Sequence, residues 1–149
     1  MRAWCAATLL LVLAAACASA PPSVPVEPVV ERFVAALNNL DLGELEQLLA
    51  DDATAFLPSP QLRARIEGRA AIVAALTPIF EAERKRGNGP PYSHMKVQTL
   101  LVQREGTAAI ATFDVGTPDV SSRRTLVLGL RDGAWKVLHF HASNVRPPG

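Results

Sequence analysis

The chain has 149 residues, of which 49% are hydrophobic and 19% are charged. Its 15 Lys and Arg residues nearly balance its 14 Asp and Glu residues, so it lacks the positive charge that binding to a phosphate backbone requires. The length suits one compact domain, and a large apolar share with a small net charge argues against a disordered chain. Nucleic acid is therefore not an expected partner.

The N-terminal segment has the pattern of an export signal. Arg2 supplies a positive charge, and residues 6–16 (AATLLLVLAAA) form an uninterrupted apolar run. A run of this length is typical of the central region of a signal peptide, and it falls short of the roughly 20 apolar residues that cross a bilayer. We therefore predict a signal peptide over residues 1–16.

The next residues predict a lipid anchor. Residues 13–17 (LAAAC) resemble a bacterial lipobox, whose cysteine is joined to diacylglycerol and becomes the mature N-terminus, although Ala14 stands where that motif prefers leucine. Cys17 is the only cysteine outside the predicted signal peptide, so the mature chain would form no internal disulfide and acylation would remove its lone thiol. In the alternative, cleavage after Ala20 discards Cys17, but Pro21 after that site makes it a poor substrate for ordinary signal peptidase.

Residues 17–28 are interpreted as the lipidated cysteine and a proline-rich tether, and residues 29–146 as the folded domain. Two or more acyl chains anchor a protein stably, whereas one alone is marginal. We therefore expect a lipoprotein held on the periplasmic or other extracytoplasmic side of a membrane of the bacterial cell envelope.

Two helices are predicted at the start of the domain. Apolar residues recur at helical spacing over residues 29–40, and Pro28 suits a first helical turn. Asp41 and Glu44 then form an acidic version of the capping box, which marks the start of a shorter second helix.

A short strand and a third helix follow. Residues 53–57 (ATAFL) are β-like, and the next helix starts at about Arg69. Pro78 lies inside this helix and lacks a backbone donor, so we expect a kink, or a restart with Thr77 as the cap.

The second half of the domain is predicted to be antiparallel sheet. Turn signals at Glu105-Gly106 and Asp132-Gly133 separate apolar-rich segments. The predicted strands are residues 95–103, 107–115, 123–131 and 135–144. The order α-α-β-α-β-β-β-β predicts an α+β fold with helices on one face of a strongly bent sheet.

Several segments together resemble the nuclear transport factor 2-like superfamily over about residues 28–145. They are residues 32–38, 41–42, 50–54, 66–69 and 132–143. The Thr-x-Phe-x-Pro segment at 54–58, the Ile-Glu-Gly segment at 66–68 and the Trp-x-x-x-His-x-His-x-Ser ending at 135–143 are most similar to SnoaL-like domains and to the association domain of calcium/calmodulin-dependent protein kinase type II. This resemblance implies a cystatin-like cone, in which a curved sheet wraps around the long helix, and a homodimer.

The resemblance also implies a cavity, because a sheet curled this far cannot fill its wide end with its own side chains. We expect a small apolar or organic ligand there, with no cofactor. The side chains assigned to the ligand are Phe33, Phe56, Leu57, Phe113, Leu138 and Phe140.

Known activities of the superfamily are not predicted for this chain. Its ketosteroid isomerases use a tyrosine, a carboxylate base and a protonated aspartate, and here Phe33, Leu57 and Val127, or Leu126 if the register differs by one, stand at those positions. The kinase association domain lines its cavity with arginines, where this chain has Asp114 and Leu126. The resemblance therefore implies neither that isomerase reaction nor that kind of anion pocket.

Two histidines on the last predicted strand are the best candidates for chemistry. Strict alternation puts His139 and His141 on one face with Trp135, and if that face is concave they form an acid–base set with Asp114. The competing parity puts the more apolar set around Phe140 inside and sends the histidines to the outer face, where dimers of this fold often pack. Zinc usually takes three or four protein ligands, so we predict no metal site.

Two functions remain. One is an exported, lipid-anchored module that binds a small molecule or mediates dimerisation. The alternative is an isomerase, dehydratase or cyclase that uses His139, His141 and Asp114 on a small hydrophobic substrate. Loss of the known catalytic groups favours the first, and a meeting of His139 with Asp114 inside the cavity would favour the second.

Overall fold

The computed structural model describes residues 24–117 and 120–145. The helices are α1 (Glu27–Asn39), α2 (Leu42–Leu48) and α3 (Arg69–Arg86). The strands are β1 (Leu49–Phe56), β2 (Ile66–Glu67), β3 (Val97–Glu105), β4 (Ala108–Thr117), β5 (Val120–Arg131) and β6 (Ala134–Val145). The predicted signal peptide, the lipobox and most of the tether lie outside the described residues. Within those residues, no helix is both long and apolar enough to cross a bilayer.

The six strands form one sheet in the order β2-β1-β6-β5-β4-β3. Neighbouring strands are antiparallel except β1 and β6, which run parallel. The prediction of an α+β fold with helices against a curved, mainly antiparallel sheet is confirmed. Two details differ, because β1 starts at Leu49, four residues earlier than predicted, and the two-residue strand β2 carried too short a pattern to be recognised.

Helix α1 buries its apolar face against the sheet. Val30, Phe33 and Val34 are almost fully buried, as their helical spacing predicts. The domain begins before this helix, because Val26 is fully buried and the Trp135 indole Nε1 donates a hydrogen bond to the Val24 carbonyl at 2.8 Å. The predicted boundary of the tether at residue 28 is therefore wrong by about four residues.

Helix α3 continues through Pro78, so the predicted restart is wrong. The hydroxyl of Thr77 does not cap a new helix. It donates to the Val73 carbonyl one turn earlier, at 2.8 Å. A proline in a helix loses one backbone hydrogen bond, and here flanking turns keep the helix continuous.

The long hairpin strands alternate as half-buried strands should. On β4, Ala109, Ala111, Phe113 and Val115 are buried against the helices, and the residues between them face outward. The predicted turn between β5 and β6 is present, with positive φ angles at Asp132 and Gly133 (50° and 79°). Two such residues are typical of the tight turns that join twisted strands.

Candidate functional site

An apolar cavity of about 650 Å³ lies between α3, the C-terminal end of α1 and the inner face of β5 and β6. Its volume falls in the range of small-molecule sites. The lining residues are Leu37, residues 57–62, Ala75, Leu76, Pro78, Ile79, Ala82, Arg86, Met95, Arg124, Phe140 and Ala142.

Two alanines in the helical wall of the cavity leave part of its space open. Ala75, Ile79 and Ala82 are three or four residues apart, so they lie on one face of α3. Two of the three are alanines, whose side chains leave space that a leucine would fill. The segment of residues 57–62, which contains two prolines, closes the side of the cavity next to β1.

An irregularity in β6 sets which residues face the cavity. Val127 of β5 pairs with His139, but Leu128 pairs with Val137, so Leu138 is one extra residue in the strand. Such a β-bulge reverses the alternation of side chains beyond it. The inner face therefore carries Val137 before the bulge and Phe140 after it.

The bulge corrects the predicted placement of the histidines. Trp135 is buried on the inner face, whereas His139 and His141 follow the bulge and lie on the outer face, paired with Val127 and Thr125. The expectation that both histidines share a face with Trp135 is wrong. The competing parity, with Phe140 inside, is the one that the structure has.

On the outer face, the histidines surround an aromatic ring. His139 Nδ1 and Thr54 Oγ1 lie 2.8 Å apart and share a hydrogen bond. The Phe56 ring lies edge-on to both imidazoles, with centroid distances of 5.8 Å to His139 and 5.9 Å to His141. Burial lowers the pKa of His139, and the charges of His141 and Arg65 lower it further.

Asp114 does not meet the histidines. It also lies on the outer face, opposite Arg123, where its carboxylate accepts a hydrogen bond from Thr99 at 2.6 Å. The β4 residue in line with His139 is Ile110, which lies four positions from Asp114, about 13 Å along the strand. Within residues 24–117 and 120–145, no three His, Cys, Asp or Glu side chains are placed to hold a metal ion.

Of the residues predicted to contact a ligand, some line the cavity and others do not. Leu57 and Phe140 line the cavity. Phe33 and Phe113 face inward but belong to the packed core. The Phe33 ring contacts Phe140 edge to face, with centroids 4.9 Å apart, and so supports the cavity wall from behind.

The two other predicted ligand residues do not line the cavity. Phe56 lies on the outer face and is 38% exposed, so its assignment to the ligand is wrong. Leu138 is the bulge residue, and it is half-buried over Gly129. The leucine packs so closely there that a Cβ atom added to Gly129 would lie 2.8 Å from Leu138 Cδ1. The bulge thus diverts Leu138 from the role that alternation would give it.

The positions that correspond to the catalytic residues of ketosteroid isomerases carry apolar side chains in this structure. Phe33 is in the core and Leu57 is on the cavity wall. The side chain of β5 that faces inward is Leu126, fully buried, whereas Val127 faces outward. The inner position therefore holds no carboxylate.

Arg124 is a cavity residue that the sequence patterns did not predict. It lies two residues before Leu126 on the inner face of β5, and it is one of the residues that line the cavity. Nη1 donates to the carbonyls of Arg123 (3.0 Å) and Ser143 (3.4 Å), and Nε is buried without a partner. Burial lowers the pKa of Arg124, but a guanidinium stays protonated in proteins. The alternation of Leu126 and Leu128 was the signal that could have revealed it.

A second arginine is also among the residues that line the cavity. Arg86 ends α3, its side chain is 70% exposed, and its Nη2 lies 3.1 Å from a Glu83 carboxylate oxygen. Its charge is solvated and paired, unlike that of Arg124.

Comparison with known proteins bears on both fold and family. A family model described as a SnoaL-like domain matches residues 26–147. No curated protein sequence is significantly similar to the chain.

Solved structures share the fold. An NTF2-like protein of unknown function from Pseudomonas putida is 24% identical with a TM-score of 0.65, over 79% of this chain and 82% of that one. A candidate ketosteroid isomerase from Parabacteroides distasonis is 23% identical with a TM-score of 0.65, over 84% and 91% of the two chains. A candidate calcium/calmodulin-dependent protein kinase type II association domain from Thiobacillus denitrificans is 21% identical with a TM-score of 0.63, over 80% and 94%. At these identities the likeness shows the fold alone.

Proposed function

The chain belongs to the SnoaL-like domain family, and on this premise we propose that it is a binding module that takes a small, largely apolar molecule into the cone cavity. The observation that supports this most directly is the cavity of about 650 Å³ with a mainly apolar wall. Pockets of this size and lining hold small molecules by burying most of their surface.

The lining favours binding over proton transfer. Among the described residues that line the cavity, none carries a carboxylate, an imidazole or a thiol. General acid–base catalysis needs such a group within hydrogen-bond reach of the reacting atom. His139, His141 and Asp114, the candidates for the alternative enzyme function, lie on the outer face instead.

We further propose that two copies associate through the outer face of the sheet. One row across this face consists of Phe56, His141, Thr125, Thr112 and Leu101, and the next of Thr54, His139, Val127, Ile110 and Gln103. Over β1, β6, β5, β4 and β3 neither row contains Lys, Arg, Asp or Glu, although the second row continues on β2 to Glu67, which pairs with Thr54. Leu101 and Ile110 are 56% and 42% exposed. A central patch without these charged side chains and with exposed apolar residues favours association with an identical patch.

The predicted export and lipid anchoring complete the proposal. Its support is the sequence pattern of residues 1–17 and the attachment of Val24 to Trp135. Anchored at Cys17, the domain would lie a short tether away from the membrane, with its ligand taken up on the extracytoplasmic side.

Cavity binding is tested by filling the cavity from one helix. Ala75→Phe adds a ring to the cavity wall, and Ala74→Phe adds the same ring on the exposed side of α3. We expect the purified protein and Ala74→Phe to bind the neutral dye Nile red with similar affinity. The affinity of Ala75→Phe for the dye should be at least tenfold lower. Equal binding by both variants, or none by the unmodified protein, would contradict the proposed function.

A further inference from the structure

We propose that the ligand of the cavity carries an ionised carboxylate, which Arg124 binds, on an otherwise apolar body. This inference rests on the proposed function, because it assigns a chemical class to the molecule that occupies the cavity. It is carried by the position and the hydrogen bonds of one side chain.

The first argument is the hydrogen bonding of the Arg124 guanidinium. A guanidinium has five N–H donors: one on Nε and two on each terminal nitrogen. Nη1 makes both of the hydrogen bonds that the Arg124 side chain forms with the described residues, and its partners are the carbonyls of Arg123 and Ser143. These bonds hold one side of the group against the sheet and leave the edge formed by Nε and Nη2 without a protein partner among those residues.

This edge matches a carboxylate. Two parallel N–H groups bind the two oxygens of a carboxylate in a planar, bidentate arrangement, which a lysine ammonium cannot reproduce. Nε is buried at present, so a small rotation of the flexible side chain toward the cavity would accompany binding. The bonds from Nη1 fix the position around which that rotation occurs.

The charge of Arg124 also points to an anionic ligand. None of the ion pairs among the described residues includes Arg124. The cavity that it lines is mainly apolar, with Leu57, Leu76, Ile79, Phe140 and Ala142 among the other lining residues. A cation in such surroundings is costly unless an anion accompanies it. Because the described lining supplies no carboxylate, a ligand that brings one would neutralise Arg124.

The third argument is the shape of the remaining space. Phe140 and Ala142 lie beside Arg124 on β6, and the small residues Ala75 and Ala82 form the facing wall on α3. The other charged residue of the described lining is Arg86, which is already paired with Glu83. This arrangement suits a monoanion with one charged end and an apolar body.

The test compares two ligands that differ in one group, decanoate and 1-decanol, at pH 7.5. Isothermal titration calorimetry measures both against the purified full chain, Arg124→Leu, Arg124→Lys and the adjacent control Arg123→Leu, which changes an exposed residue on the outer face. We expect decanoate to bind at least tenfold more tightly than decanol, since charge-assisted hydrogen bonds contribute on this scale. Arg124→Leu should abolish the preference, Arg124→Lys should retain part of it, and Arg123→Leu should leave it unchanged.

Each outcome decides between the two proposals. Equal affinity for the two ligands, or a preference that persists in Arg124→Leu, overturns the carboxylate inference and leaves cavity binding intact. Binding of neither ligand overturns both. If Arg124→Leu does not fold, as judged by circular dichroism, Arg124→Gln keeps a polar side chain of similar length and should also lose the preference.

Discussion

Single residues divide the molecule into two chemically different faces. Arg124 faces the cavity, whereas His139 and Asp114 lie on the outer surface of the same sheet. The residue types that first attract attention as catalysts are thus separated from the space that can hold a ligand. Arg124 was not predicted, because its place on the inner face follows from its alternation with Leu126 and Leu128 and not from its own residue type.

The pKa of His139 predicts a pH-dependent stability. Burial, followed by the charges of His141 and Arg65, lowers this pKa in the folded state below the ordinary value of 6.5. The unfolded chain then binds a proton at a higher pH than the folded chain does, so the free energy of unfolding falls as the pH drops below about 6.5. Between pH 7.5 and pH 5.5, we expect the free energy of unfolding, measured with urea, to fall less in His139→Gln than in the unmodified protein.

The matched control is His94→Gln, at an exposed histidine. In this variant the free energy of unfolding should fall with pH as much as it does in the unmodified protein. If it falls by the same amount in His139→Gln, His139 is not the group whose protonation opposes folding.

Secondary-structure elements show where sequence patterns suffice and where they do not. The helical periodicity of α1 and the turn residues at 132–133 predicted these elements, because each depends on local chemistry that the residues carry themselves. The bulge at Leu138 depends instead on the register between β5 and β6. No residue type marks it, so the faces of His139 and Phe140 could not be decided from the sequence.

The cap at the start of α2 contributes a stability that can be measured. The Asp41 carboxylate accepts a hydrogen bond from the Glu44 backbone N–H at 2.9 Å, as the capping pattern predicted. Asp41→Ala should reduce the free energy of unfolding by about 1 kcal/mol, measured by urea denaturation. Asp52→Ala, at an exposed residue of β1, should change it much less, and a similar loss in both variants would contradict the capping role.

The molecule combines a hollow inner side with an outer side whose two central rows, from β1 to β3, carry no Lys, Arg, Asp or Glu. Much of this arrangement could be predicted, since the order of helices and strands and the resemblance to a known superfamily point to a cone. The cavity lining could be predicted only in part, because residues 58–62 and the face of α3 reach it through tertiary packing rather than through a periodic pattern.

Association of two copies is tested on the outer face. Ile110→Lys places a charge in the middle of the proposed interface, whereas Ala71→Lys places the same charge on the exposed side of α3. Sedimentation velocity should show dimers for the unmodified protein and for Ala71→Lys, and monomers for Ile110→Lys. Dimers in all three would place the interface elsewhere, and a monomeric unmodified protein would refute association.

The lipid anchor is tested at its attachment residue. Cys17→Ser should abolish labelling by a radioactive fatty acid and move the protein from the membrane fraction to the soluble fraction, because the acyl chains are the only predicted membrane attachment. Cys5→Ser, within the predicted signal peptide, should leave both unchanged. Membrane partition that persists in Cys17→Ser would contradict the anchor.

The binding of a carboxylate in the cavity is best tested by a crystal structure of the protein grown with decanoate. We expect electron density for the acyl chain between α3 and the inner face of β5 and β6, with the carboxylate within hydrogen-bond distance of Nε and Nη2 of Arg124. A cavity filled by its own side chains, or decanoate bound with its carboxylate away from Arg124, would contradict it.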